Sequence, residues 1–264
     1  MQRLIANLRF ARALVVTNLR ASLALRASFW LQAAFMAGNN FAFFTMWWIL
    51  FARFKTLGSW RVDDMLTLFG VVAPGFGLAV ALAGGARTLA RGIVDGELDP
   101  LLVQPKSPLL HWAGSASAAS GWGDLASGIG MLWLAGRLDW ANAPFIALAI
   151  AASAVAFAAS SLAFQSLAFW LGDVEQLALQ LRDFTLNFAL YPQPLFGGAI
   201  QLLLYTLLPA AAVGFLPVAV VRAPSVWTCA GALAGAVAWG AVAVGIFALG
   251  LRRYESGSRF GARG

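Results

Sequence analysis

Six stretches of this chain run for more than twenty residues with at most one charged side chain. Nothing else in the sequence constrains the fold as strongly. They are Phe29–Phe51, Met65–Ala86, His111–Gly136, Pro144–Leu171, Phe196–Val221 and Ser225–Leu251. At about 1.5 Å of rise per residue, each is long enough to cross the roughly 30 Å hydrocarbon core of a bilayer. Composition agrees: 11% of the residues are charged, against about 25% in an ordinary soluble domain. The expected fold is an all-α integral membrane domain with six transmembrane helices over residues 28–264, preceded by a segment over 1–27. Trp30, Trp47, Trp48, Trp112, Trp133, Trp170 and Trp227 fall near span ends, as an interfacial aromatic belt requires. The first apolar run is too long for the core of a secretory signal.

Basic residues set the expected orientation. With both termini inside, the inner segments carry 13 of the 18 Lys and Arg residues. The positive-inside rule then puts both termini in the cytoplasm, and an even span count agrees. Two amphipathic segments flank the spans. In the first, Leu4, Leu8, Ala11 and Val15 recur at helical spacing among arginines, the pattern of an interfacial helix on the inner leaflet. In the second, Val174, Leu177, Leu181, Phe184 and Phe188 form an apolar stripe, with Asp173, Glu175, Arg182 and Asp183 off it. That segment reads as a surface helix or as the wet start of span 5. Span 5 itself contains Pro209 and Pro217 and is expected to be kinked or broken, since proline removes a backbone donor and clashes with the preceding turn.

Several chemistries are excluded or disfavoured. There is no G-x-x-x-x-G-K-[ST], so the chain carries no P-loop of its own. The single histidine, His111, and single cysteine, Cys229, offer no metal cluster, no catalytic pair with a second element to orient it, and no intrachain disulfide. No basic reading surface for nucleic acid remains once the arginines are assigned to span flanks.

Asp124 is the one acid well inside a span, surrounded by Gly121, Gly123, Ser127, Gly128 and Gly130. An intramembrane carboxylate is costly and marks a functional site by default. Two readings stand: a carboxylate on a translocation pathway, or an acid satisfied by a neighbouring helix. Asn39 and Asn40, at mid-depth in span 1, are the candidate partners.

Between spans 2 and 3 lies the polar, proline-punctuated stretch DGELDPLLVQPKSP, Asp95–Pro108. Asp99–Pro100 and Ser107–Pro108 each resemble a helix start, with a capping side chain followed by proline. The expectation is a short helix from about Pro100, broken near Pro105, then a second start that feeds span 3. Its acids are Asp95, Glu97 and Asp99, and its apolar patch is Leu98, Leu101 and Leu102. A short helix of this kind either fits a groove on a partner or is an ordinary structured loop.

The run GIVDGELDPLLVQP, Gly92–Pro105, resembles the signature of permease subunits of ABC type-2 exporters, in the six-span branch. Gly96, Leu98, Asp99, Leu101, Leu102 and Pro105 carry the resemblance, while Val103–Gln104 depart from it. A second block from Tyr191 agrees through Tyr191, Pro192, Phe196, Pro209 and Pro217. The resemblance implies a pathway-forming permease in the cytoplasmic (inner) membrane of a bacterium. It would act as a dimer of two copies or of two related permeases. A separate cytoplasmic ATPase would hold ATP and Mg, and this chain would bind no cofactor. Asp95, Gly96, Glu97, Leu98, Asp99, Leu101, Leu102 and Pro105 would then form the coupling helix against that ATPase. The competing readings are a secondary transporter or channel, an integral-membrane enzyme, and a membrane scaffold.

Overall fold

The computed structural model describes residues 2–255, with side chains from Arg9 onward. The parts of the N-terminal stripe at Leu4 and Leu8, and the tail arginines Arg259 and Arg263, lie outside the described side chains. Among the described residues the regular elements are helices: α1 Gln2–Ala24, α2 Arg26–Phe54, α3 Val62–Leu82, α4 Leu89–Val94, α5 Asp99–Leu102, α6 Pro108–Ala113, α7 Ser120–Leu134, α8 Ala143–Ser166, α9 Ala168–Leu171, α10 Glu175–Ala189, α11 Gly198–Thr206, α12 Leu216–Arg222 and α13 Val226–Leu251. A 3₁₀ turn, Gly84–Thr88, precedes α4, and a π-helical turn, Ala211–Phe215, precedes α12. Among the described residues α2, α3, α8 with α9, and α13 are each long and apolar enough to cross a membrane.

The bundle has two distinct ends. At one, the Phe10 ring meets His111 at 5.3 Å, Arg91 pairs with Glu175 at 2.8 Å, and Tyr254 sits beside Gly96. At the other, Leu57 bridges Trp60, Trp47 meets Tyr191 at 5.2 Å, and Asp64 pairs with Arg222 at 2.7 Å. The long helices run between these ends around a core of Phe69, Met131, Leu132 and Phe157, all buried.

Small residues let the helices approach closely. A Cβ at Gly123 would lie 2.8 Å from the Ala33 carbonyl carbon, so α7 rests directly on the backbone of α2. Gly77 of α3 and Gly121 of α7 face each other with backbone nearly in contact.

Three expectations are corrected. First, His111–Gly136 is not one helix. It divides into α6, an irregular link over 114–119, and α7, whose 15 residues rise only about 22 Å. The link is held by α3 and its 3₁₀ extension. The Ala118 N–H donates to the Val80 carbonyl at 3.1 Å, and a Cβ at Gly84 would lie 2.8 Å from the Ala116 oxygen.

Second, Phe196–Val221 does not run from one end of the bundle to the other. Pro194, before α11, packs on Gly58, and Arg222, at the end of α12, pairs with Asp64 and covers the Trp60 ring at 4.4 Å. Both feet therefore stand at the same end, and α11 and the segment from the π turn to Arg222 meet at a 75° bend. This bent pair, the α11–α12 hairpin, has the geometry of a re-entrant loop rather than of a straight span. Pro209 falls in its break and Pro217 at the second residue of α12. Non-helical backbone at such depth is tolerated because protein surrounds it; Ala210–Phe215 are buried.

Third, α10 is the element that joins the two ends at this point in the chain. Glu175 starts beside Arg91, and Leu190–Tyr191 finish beside Trp47. Its most buried side is Ala178, Arg182, Thr185 and Ala189; of the apolar stripe, Val174 is buried, Leu181 and Phe188 pack partly on the core, and Leu177 and Phe184 point outward. The small residues on that side allow close packing on α8 and on the π turn, where a Cβ at Gly214 would come 2.7 Å from the Ala189 oxygen. Apolar periodicity marks a buried face only when the surrounding medium is water.

Candidate functional site

The foot of the bundle is built around the segment Asp95–Pro108. Helix α4 ends at Val94 in a glycine cap: Gly96 has φ of 73°, Glu97 N–H donates to Gly92 O at 2.9 Å, and Gly96 N–H to Ile93 O at 3.4 Å. This paired arrangement satisfies the last carbonyls of a helix and needs a left-handed residue, which glycine supplies without steric cost. Gly92 has a separate reason to be small, since a Cβ there would strike the Trp112 indole.

Helix α5 covers Asp99–Leu102, with Leu98 rather than Asp99 at its N-cap position and no side-chain cap. The expectation that Asp99 caps this helix is therefore corrected. Ser107 does cap α6, accepting from Leu110 N–H at 3.4 Å, with Pro108 as the first helical residue.

The leucines of the segment divide into two groups. Leu98 is fully buried among Trp112, Leu162 and Phe247, and Leu101 packs partly against the same cluster. Outward projection falls to Glu97, Leu102, Val103, Gln104 and Pro105, with Val103 86% exposed. Val103, which departs from the family pattern, is thus the most accessible apolar side chain on the segment. Asp95 and Asp99 are half-buried. Burial, with the neighbouring Asp99 carboxylate, pushes the Tyr254 phenol up to about 12. Tyr254 thereby ties the end of α13 to this segment, and its ring lies 6.0 Å from Phe169.

Gln165, near the end of α8, links the segment to the bundle. It is 1% exposed, accepts from Ala90 N–H at 3.0 Å and donates to the Arg87 carbonyl at 2.8 Å. Ala90 lies in the first turn of α4, where backbone N–H groups have no intrahelical partner. Nothing in the sequence pattern distinguishes this glutamine from any other polar residue.

Asp124 is 2% exposed at the junction of α2, α3 and α7. Asn40 donates to its carboxylate at 2.7 Å and to Ser127 Oγ at 2.9 Å, and the Ser127 hydroxyl donates to the Asp124 carbonyl at 3.1 Å. Asn39 is exposed on α2 and does not join this group. In this arrangement Asp124 bonds α7 to α2 through one carboxylate oxygen, while its Oδ2 is buried without a hydrogen-bond partner.

A different polar surface spans the bundle. Gln176, Gln180, Asp183 and Asn187 are all exposed and recur at steps of four, three and four along α10, which places them within one narrow stripe of the helix surface. Asp183 accepts from the buried Arg182 at 2.9 and 2.6 Å. Burial, then the charge of Arg182, pulls the Arg87 guanidinium below its ordinary value, with Asp183 acting in the opposite direction. Amides and a carboxylate turned toward hydrocarbon would each cost several kcal/mol, so this stripe requires water or polar groups beside it. The sequence contained the signal, but it was masked by the stronger apolar stripe next to it.

A helical bundle with a polar-faced helix running between its ends, and a rigidly capped segment at its foot, defines a multi-pass membrane permease. The profile of the ABC-2 family transporter proteins matches residues 37–258, and the chain belongs to that family. Its members are membrane components that lack an ATPase of their own and work with an ABC ATPase subunit. Neither the curated proteins nor the solved structures give a match.

Proposed function

We propose that this chain forms the translocation pathway of an ATP-driven exporter. The observation that carries the proposal is the polar stripe of α10. In the proposed topology the six crossings are α2, α3, α7, α8, α10 and α13, with both termini in the cytoplasm of a bacterium and the α11–α12 hairpin dipping in from the outer side. Two permeases, identical or related, place their α10 faces around a shared wet path. Gln176, Gln180, Asp183 and Asn187 line it, in place of Asp124. The exposed residues Glu97, Leu102, Val103 and Pro105 meet the cytoplasmic ATPase, which carries ATP and Mg. The buried members Leu98 and Leu101, with the Gly96 cap and half-buried Asp95 and Asp99, fix the shape that is presented. ATPase closure then moves α3 and α7 through the segment that joins them.

The experiment is cysteine accessibility in inverted and right-side-out vesicles. Cys229 is first replaced by serine, and single cysteines are placed at Gln176, Gln180, Asp183 and Asn187. A water-soluble maleimide is expected to label all four, and ATP trapped on the partner is expected to change the labelling. Absence of labelling at Gln180 and Asp183 would refute the wet path. Co-purification of a stoichiometric P-loop ATPase tests the coupling, and a chain that transports without one would instead be a secondary transporter.

A further inference from the structure

The turn between α1 and α2 forms an open surface groove of about 560 Å³ lined by Arg20, Leu23, Ala24, Arg26 and Trp30. Two arginines therefore line one open groove. No acid is available to neutralise them from their own elements, because the first Asp or Glu in the chain is Asp63. Of the helices that pack most extensively on α2, α7 brings Asp124, which is bonded to Asn40 at mid-depth, and α3 brings the acids at its far start. Among the described residues the ion-paired arginines are Arg91, Arg182 and Arg222, not these two.

The groove sits at the foot of α2, at the same end of the bundle as Asp95–Pro108. From there the outer face of α2 is apolar and uncovered: Trp30 is 67% exposed, Leu31 72% and Phe35 77%. Guanidinium forks match phosphate oxygens in pairs. A tryptophan ring favours the headgroup level of a bilayer, and basic pockets beside crossing helices suit anionic headgroups. We propose that Arg20, Arg26 and Trp30 form a binding site for an anionic phospholipid, with its phosphate between the two arginines and its acyl chains along Leu31 and Phe35. A free phosphate would satisfy the arginines equally well but would leave the apolar face without a role. The site is independent of the α10 pathway, and its test does not require transport.

The test is native mass spectrometry of the full chain, delipidated in detergent and titrated with phosphatidylglycerol or phosphatidylcholine. One phosphatidylglycerol per chain is expected to remain bound. Arg20→Gln with Arg26→Gln is expected to weaken it about 30-fold. Arg20→Lys with Arg26→Lys, which keeps the charge but loses the paired donors, is expected to bind less tightly than the unaltered chain and more tightly than the glutamine pair, so the step from lysine to glutamine is a loss of charge rather than of fold. Arg9→Gln with Arg12→Gln removes the same charge elsewhere on α1 and is expected to change binding little. Equal weakening by that control pair would overturn the proposal in favour of diffuse electrostatics. Equal retention of phosphatidylcholine would overturn it as well. If inorganic phosphate in large excess displaces the lipid and binds the lipid-free chain alone, the site is one for a free anion and the lipid assignment fails.

Discussion

Replacing Gln165 by leucine tests how the foot of the bundle is held. Leucine fills nearly the same space but neither accepts from Ala90 N–H nor donates to the Arg87 carbonyl, the two bonds of 3.0 and 2.8 Å that Gln165 makes. Each backbone group left buried without a partner costs about 1–3 kcal/mol. Arg87 stands at the edge of the bundle, so water recovers part of that cost, and a total of about 2–4 kcal/mol is expected. The loss is local, because the bonds join α8 only to the 3₁₀ turn and α4. Hydrogen–deuterium exchange in detergent is the assay. Amides in peptides covering residues 84–98 are expected to exchange about 30- to 1000-fold faster, while peptides from α13 keep their rates. In vesicles, transport is expected to fall more than partner ATP hydrolysis, because a loosened segment transmits less movement. A change of less than about threefold in the 84–98 peptides would refute the assignment of Gln165 as their anchor.

Asp124→Asn preserves an acceptor for Asn40 and is expected to leave export within about twofold, whereas Asp124→Leu orphans the Asn40 amide and destabilises the α2–α7 contact by about 1–3 kcal/mol; loss of export by the asparagine variant with normal folding would restore Asp124 to the pathway. Gly96→Ala forces a β-carbon onto a φ of 73° and is expected to cost about 1 kcal/mol, visible as faster exchange at Glu97 and Leu98. Gly123→Ala pushes α7 off the Ala33 backbone and is expected to lower thermal stability by the equivalent of about 1–3 kcal/mol, read as the midpoint of heat-induced aggregation. Tyr254 gives a pH signature. Its phenol is held near 12, above the ordinary value of about 10, so its contribution to docking α13 is complete below pH about 10 and is lost as the pH rises through 12. Phenolate absorbance is expected to show a late-titrating component that is reduced in Tyr254→Phe; a titration unchanged by that substitution would contradict this.

The long apolar runs made the class of fold legible, because nothing but a bilayer accommodates so many of them. The loop signals were also local and readable: Ser107–Pro108 begins a helix, and the Asp95–Pro108 stretch breaks the chain between α3 and α7. Span assignment failed where hydropathy and geometry part. The Phe196–Val221 segment is apolar enough to cross but returns to its own side. Helix α10 carries Glu175, Arg182 and Asp183 yet joins the two ends. In the proposed topology those two changes cancel in the count, so parity alone does not expose them. The inward face of α10 was hidden for a related reason: in a membrane, small residues such as Ala178 and Ala189 go to the packed side and large apolar ones face outward. The function of Gln165 depends on backbone groups 75 and 78 residues away, a relation that no local pattern records.

The α11–α12 hairpin has a mechanical consequence. One foot, at Pro194, bears on Gly58; the other, at Arg222, is bolted to Asp64 and roofed by Trp60. Both footings belong to the short platform of residues 57–64 that joins α2 to α3. A structure standing on a single platform is lifted or lowered as a unit. It is not levered open between two supports. Any displacement of the head of α3 therefore reaches both feet of the hairpin at once, while α12 and the π turn above them bear on α8 and α13 as well.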